Sequence, residues 1–130
     1  MMKQPKVYIK SLNMVLPVKV INYHEKMVEV YFNDNADFVP YKFDEVILIE
    51  NTGFKDKKGN SIFVGDIVER TTYDETCVYT EEVEKDYFDS SYYTVSKGSL
   101  SKLNEFRRGN LEVIGNIYEN DDLWKKIAAI

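Results

Sequence analysis

The feature that most constrains this chain is a repeated one. Short runs alternate apolar and polar residues, and turn residues cut each run after a few positions. KVYIK, at residues 6–10, sets Val7 and Ile9 on one face. MVEVYF, at residues 27–32, does the same with Val28, Val30 and Phe32. A period of two sends successive side chains to opposite faces, which suits a half-buried strand and no helix. EVILI, at residues 45–49, carries the β-branched content of a buried strand. SIFVGDIVER, at residues 61–70, is the clearest strand of all. CVYTEEVE and SYYTVS are two more, separated by the turn-like KDYFDS. LEVIGNIY, at residues 111–118, is a last strand with a central glycine.

The punctuation supports this reading. Pro17, inside MVLPVKVINY, lacks a ladder donor, so its strand should be broken, bulged or at an edge. His24-Glu25-Lys26 reads as a hairpin turn, and Asn33 to Asp37 as a polar loop. Lys57-Lys58-Gly59-Asn60 is a turn in which Gly59 or Asn60 takes positive φ. Gly65 marks a bulge or a close approach of another segment. Residues 99–110 are polar, with one helical turn expected around Leu100, Leu103 and Phe106. The tail NDDLWKKIAAI is the strongest helix signal: Asn120 caps, Asp121 and Asp122 fill the first turn, and Leu123, Trp124, Ile127 and Ala128 share a face. Seven or eight short strands follow, arranged as a small antiparallel barrel or sandwich, with room for SH3-like elements and a short C-terminal helix.

A chain of 130 residues suits one compact domain, taken here as residues 1–130. It has one cysteine, Cys77, read as a small buried strand residue, and one histidine, His24. No internal disulfide and no Cys/His zinc cluster can come from that pair, so no metal and no cofactor is expected. The N-terminal segment has no apolar run long enough for a signal core or a membrane helix, since Lys10, Asn13, Pro17 and Lys19 interrupt it. The net charge is -5, which opposes non-specific attraction to nucleic acid. Residues 66–89 hold nine acids against Arg70 and Lys85. Such runs usually serve solubility, and otherwise face a basic partner.

No catalytic constellation stands out. Gly53, Gly59 and Gly65 lack phosphate-loop spacing, and a strand, not a helix, follows Gly59. Asn33, Asn35 and Asp37 open with calcium-loop spacing, but Phe38 stands where glycine belongs and Asp44 where the bidentate glutamate belongs. His24 has no marked nucleophile near it. The tyrosine pairs are more telling. Tyr87-Phe88 and Tyr92-Tyr93 flank Asp89-Ser90-Ser91, and one member of each pair should point outward. Glu81, Glu82, Glu84, Tyr87, Asp89 and Tyr92 therefore form the candidate partner-binding set, with tyrosines as anchors. Lys55, Lys57 and Lys58 are the candidate phosphate contacts.

Two segments resemble the YopX family of phage and prophage proteins. NTGFKDKKGNSIFVGDIVE is similar to its central signature at Thr52, Gly53, Lys55, Asp56, Lys57, Gly59, Ile62, Gly65, Asp66, Ile67 and Val68. LEVIGNIYEND is similar to its closing Glu-Val-Ile-Gly-Asn-Ile-Tyr-Glu-Asn. The opening strand departs from the family's, with Lys6 to Lys10 standing in place of a Lys-Phe-Arg-Ala-Trp-like run. The resemblance implies a phage-encoded, mainly β accessory protein of the bacterial cytoplasm, and it brings no catalytic residues.

Three functions are weighed. The first is a non-enzymatic module binding a host or phage protein. The second is a nucleic-acid binder using Lys55, Lys57 and Lys58 with Arg107 and Arg108. The third is a small hydrolase using Asp56 and Asp66, residues more readily explained as turn and strand-edge positions. Homo-oligomerisation is expected from the apolar end Ile127 to Ile130, and no membrane association is expected.

Overall fold

The computed structural model describes residues 3–31, 38–96, 99–120 and 122–123; for Phe38, Glu105, Phe106 and Arg108 only the backbone is described. The described residues form twelve strands: β1 (Lys6–Ile9), β2 (Met14–Asn22), β3 (Met27–Tyr31), β4 (Phe38–Lys42), β5 (Val46–Ile49), β6 (Asn51–Lys55), β7 (Ser61–Phe63), β8 (Asp66–Thr71), β9 (Val78–Lys85), β10 (Tyr92–Ser96), β11 (Ser99–Lys102) and β12 (Leu111–Asn116). They fall into two compact units, Met1–Glu50 and Asn51–Ile130.

The first unit is one antiparallel sheet in the order β4-β3-β2-β1-β5. Its core is Val7, Ile9, Val18, Val28, Val30 and Val46, the apolar parity of the alternating runs. β2 lies inside the sheet, and the expected disturbance near Pro17 is a bulge. Val18 pairs with Val30 and Val20 with Glu29, so Lys19 is the extra residue. That insertion flips parity. Leu16 and Val18 face the core before it, Ile21 faces the core after it, and Val20 is left exposed. The Tyr23–Lys26 turn is as expected: the Glu25 N–H donates to Asn22 Oδ1, Lys26 takes φ 55°, and His24 is exposed.

The second unit pairs β6 with β7 and has a five-stranded antiparallel sheet in the order β11-β10-β9-β8-β12. Its core is Ile62, Val68, Val83, Leu103 and Leu111, with Phe54, Tyr92 and Val113 packed against it.

Five expectations need correction. The strands number twelve among the described residues, not seven or eight, and both five-stranded sheets are open, so no closed barrel forms among those residues. SIFVGDIVER is two strands. Val64-Gly65 turns a corner between β7, which pairs with β6, and β8, which pairs with β9 and β12. Residues 99–102 are strand β11, and the helical turn, of 3₁₀ type, comes later at Glu105–Asn110. Cys77 is exposed in the turn before β9 and is not a core residue. The expected calcium-loop spacing at residues 33–37 lies outside the described residues, and so does the expected C-terminal helix apart from Asp122 and Leu123.

Candidate protein-interaction face

The turn between β9 and β10 is built by its acids. The Asp86 N–H donates to the Ser91 carbonyl at 2.8 Å, closing the hairpin. Asp86 Oδ1 accepts the Phe88 N–H at 2.8 Å, and Asp89 Oδ1 accepts the Ser91 N–H at 2.9 Å. These are Asx turns, in which a short carboxylate replaces a missing backbone acceptor. The Tyr93 hydroxyl donates to Asp89 Oδ2 at 3.0 Å. The Ser91 N–H bond holds Asp89 below the usual carboxylate range, and the hydrogen bond to Asp89 raises Tyr93. At the crest, Tyr87 is 83% exposed and Phe88 is fully exposed.

Strand register then decides which neighbours share a face. Glu84 lies opposite Tyr93, and Tyr93 opposite Lys102. Glu82 lies opposite Val95, and Val95 opposite Leu100, which is 65% exposed. Glu82 and Glu84 therefore stand on one side of the sheet with Val95, Tyr93 and Leu100. Burial, and then the charge of Glu82, raises the pKa of the Tyr118 hydroxyl. Lys85 Nζ sits 5.6 Å from the Tyr87 ring centroid and 5.8 Å from that of Tyr92.

Of the six predicted partner-binding residues, Glu82, Glu84, Tyr87 and Asp89 remain at or near this surface. Two do not belong to it. Glu81 is fully buried, because it shares parity with Val83 and so faces the core. Its Oε1 takes Arg70 Nε at 3.0 Å and Arg107 Nη2 at 3.5 Å. Tyr92 packs its ring against the core cluster. Phe88, Tyr93 and Leu100 are the additions. Strand parity was the available signal for Glu81; for Leu100 there was none, since β11 was hidden in a polar stretch.

The predicted phosphate lysines are engaged elsewhere. Lys58 pairs with Glu112, Lys57 lies 4.0 Å from the same carboxylate, and Lys55 donates to Ser61 Oγ at 3.0 Å. Asp56 between them is buried. It accepts the N–H groups of Lys58 (3.0 Å) and Asn60 (2.8 Å) on Oδ1 and that of Val113 (3.0 Å) on Oδ2. Burial alone would raise its pKa, but those three N–H groups outweigh it and the pKa is lowered. Asp66 accepts the Phe63 N–H at 2.8 Å across the β7–β8 corner. Both carboxylates are thus committed to backbone donors.

The family model described as YopX protein matches residues 3–125. The chain belongs to the YopX family. A search of curated proteins finds no match. Among solved structures, the chain is similar to the crystal structure of protein EF1440 from Enterococcus faecalis, at 19% identity and a TM-score of 0.52, over 92% of this chain and 96% of that one. At that identity the likeness concerns the fold.

The two YopX signature segments meet in space, and the contacts explain their residues. The Lys57 N–H donates to the Leu111 carbonyl at 2.9 Å, beside the Asp56–Val113 bond. The turn at residues 56–60 therefore satisfies the outer edge of β12 as a further strand would. Gly59 takes φ 84°, as its turn requires. Gly65 takes φ 92°, and a Cβ there would stand 3.0 Å from the Tyr118 ring. The Thr52 hydroxyl donates to the Ile62 carbonyl at 2.6 Å, and Asn116 Oδ1 accepts the Tyr118 and Glu119 N–H groups. The YopX signature thus marks a way of folding.

Proposed function

We propose that this YopX chain is a phage- or prophage-encoded accessory protein of the bacterial cytoplasm that works as a non-enzymatic protein-interaction module. The observation that carries the reading is the pair Tyr87 and Phe88, exposed on a turn that the carboxylates of Asp86 and Asp89 hold by hydrogen bonds. A rigid aromatic anchor with an acidic surround is what an interface hot spot needs, and the order of the turn lowers the entropy cost of docking. The commitment of Asp56 and Asp66 to backbone N–H groups weighs against carboxylate catalysis.

The test is retention from host lysate by the immobilised full chain, wild type against a Tyr87→Ala/Phe88→Ala double variant. A host or phage protein kept by the wild type and lost by the variant supports the module. Equal retention by both, or none by either across growth and induction conditions, overturns it. Nucleic-acid binding through Lys55, Lys57 and Lys58 is the second reading. Their engagement with Glu112 and Ser61 weakens it, and a gel shift with DNA or RNA at low salt would revive it. Self-association through residues 127–130 belongs to the same proposal, and a light-scattering mass of one chain overturns that part.

A further inference from the structure

Resting on the interaction reading above, we infer that the partner of the β9–β10 crest is a protein with an apolar pocket rimmed by lysine and arginine. Two properties of the crest select it. The first is shape. Phe88 is fully exposed and Tyr87 nearly so, while Asp86, Asp89, the Ser91 carbonyl and Tyr93 fix the backbone beneath them. A phenylalanine held proud of the surface is satisfied by a pocket that removes its ring from water, and a flat surface covers it poorly.

The second is charge. Asp86 and Asp89 lie in the turn itself, and Glu84 lies opposite Tyr93, whose hydroxyl meets Asp89; Lys85 and Lys102 are the cations paired in register with Tyr92 and Tyr93. Lys85 already lies against the Tyr87 and Tyr92 rings. Lys102 lowers the pKa of Asp89 through its charge, the smallest of the causes acting there, after the Ser91 N–H. The remaining field is negative and repels phosphate, which sets aside nucleic acid and anionic lipid as occupants. It also sets aside a second copy docked face to face, because a two-fold contact would bring the same acids against each other. A basic rim around an apolar pocket complements both properties.

The experiment places p-benzoyl-phenylalanine at position 88 of the full chain in the bacterial host and irradiates it. The cross-linked protein is identified, purified and titrated against wild type, Phe88→Ala and Glu84→Lys. Both positions are exposed, and thermal melts check that each variant keeps the fold. The expected result is a cross-link within an apolar pocket flanked by Lys or Arg. Affinity should fall at least about tenfold in Phe88→Ala, as for a hot-spot aromatic. It should also fall in Glu84→Lys and as salt rises. A partner that needs Phe88 but is indifferent to salt and to Glu84→Lys overturns the basic-rim inference and leaves the interaction module standing. No cross-link above the unirradiated control, or a captured protein that binds Phe88→Ala as well as wild type, overturns both.

Discussion

Asp56 shows how one side chain can join distant parts of a sequence. Its carboxylate serves three backbone donors, one of them 57 positions away at Val113. Replacing it with asparagine turns one acceptor oxygen into a donor facing a backbone N–H, and the expected cost is roughly 2–3 kcal/mol in urea unfolding. Its lowered pKa fixes a pH dependence. The unfolded carboxyl titrates near 3.8 and the folded one below that, so the contribution is complete above pH 3.8 and disappears as pH falls through the folded value. Stability of the wild type should therefore decline more steeply than that of Asp56→Asn on acidification below pH 4. Asp74 follows the same sign: the Thr72 hydroxyl, then the Thr76 hydroxyl and N–H, hold it at about 2, and its carboxyl resonance should titrate there by NMR. Gly65 is the third case. Gly65→Ala would force a Cβ into φ 92° and against the Tyr118 ring, and an increase in unfolding free energy, or no change, would refute the close-approach account; the expected loss is about 1–3 kcal/mol. From sequence alone Asp56 reads as a turn residue and Gly65 as a bulge or close approach. The turn and the approach were legible because Gly, Asp and Asn have few local roles. The bond to Val113 was not, since nothing in a linear pattern names a partner 57 residues off.

At the scale of the element, alternation carried most of what could be read. β1 and β3 stand where period-two runs placed them, and β5, β9, β10 and β12 where runs bounded by turn residues did. The failures have physical causes. β7 and β8 merged into one expected strand because Ile62, Phe63, Ile67 and Val68 are all buried, and burial on both sides of a corner looks like one long apolar run. β11 was lost because Ser99, Ser101 and Lys102 are polar and its position depends on tertiary contacts. Arg107 supplies several of these. Its Nη1 donates to the Ser101 and Lys102 carbonyls, and its Nη2 donates to Thr94 Oγ1 at 2.7 Å and pairs with buried Glu81. One guanidinium therefore clips the 3₁₀ turn to β10 and β11. Arg107→Met keeps the stem volume and removes those donors. The expected loss is roughly 2–4 kcal/mol, smaller than for a lone buried pair because Arg70 still holds Glu81. Hydrogen exchange should quicken in β10 and β11 before the rest of the second sheet. Uniform exchange across that sheet would mean the clip has no local role.

For the whole molecule, each unit carries its own buried cluster: Val7, Ile9, Val18, Val28, Val30 and Val46 in the first, and Ile62, Val68, Val83, Leu103 and Leu111 in the second. The two are unequal as folding problems. The first unit ends at Glu50 and is a single sheet, close to the size below which an apolar core rarely supports a fold. The second adds a corner, a buried ion cluster and the Asp56 staple to its core, and both signature segments lie inside it. The crest with Tyr87 and Phe88 also belongs to it. We therefore expect residues 51–130, expressed alone, to fold cooperatively, with dispersed amide resonances and a slowly exchanging Val113 N–H. Residues 1–50 alone should show weak dispersion and a broad thermal transition. The reason is arithmetic of scale: the fraction of surface buried rises with chain length, while the entropy cost per residue does not fall. If 51–130 alone is unfolded while the full chain is not, the core and staple of the second unit are insufficient without the first. In that case the signature describes a fold that needs the first unit in order to form.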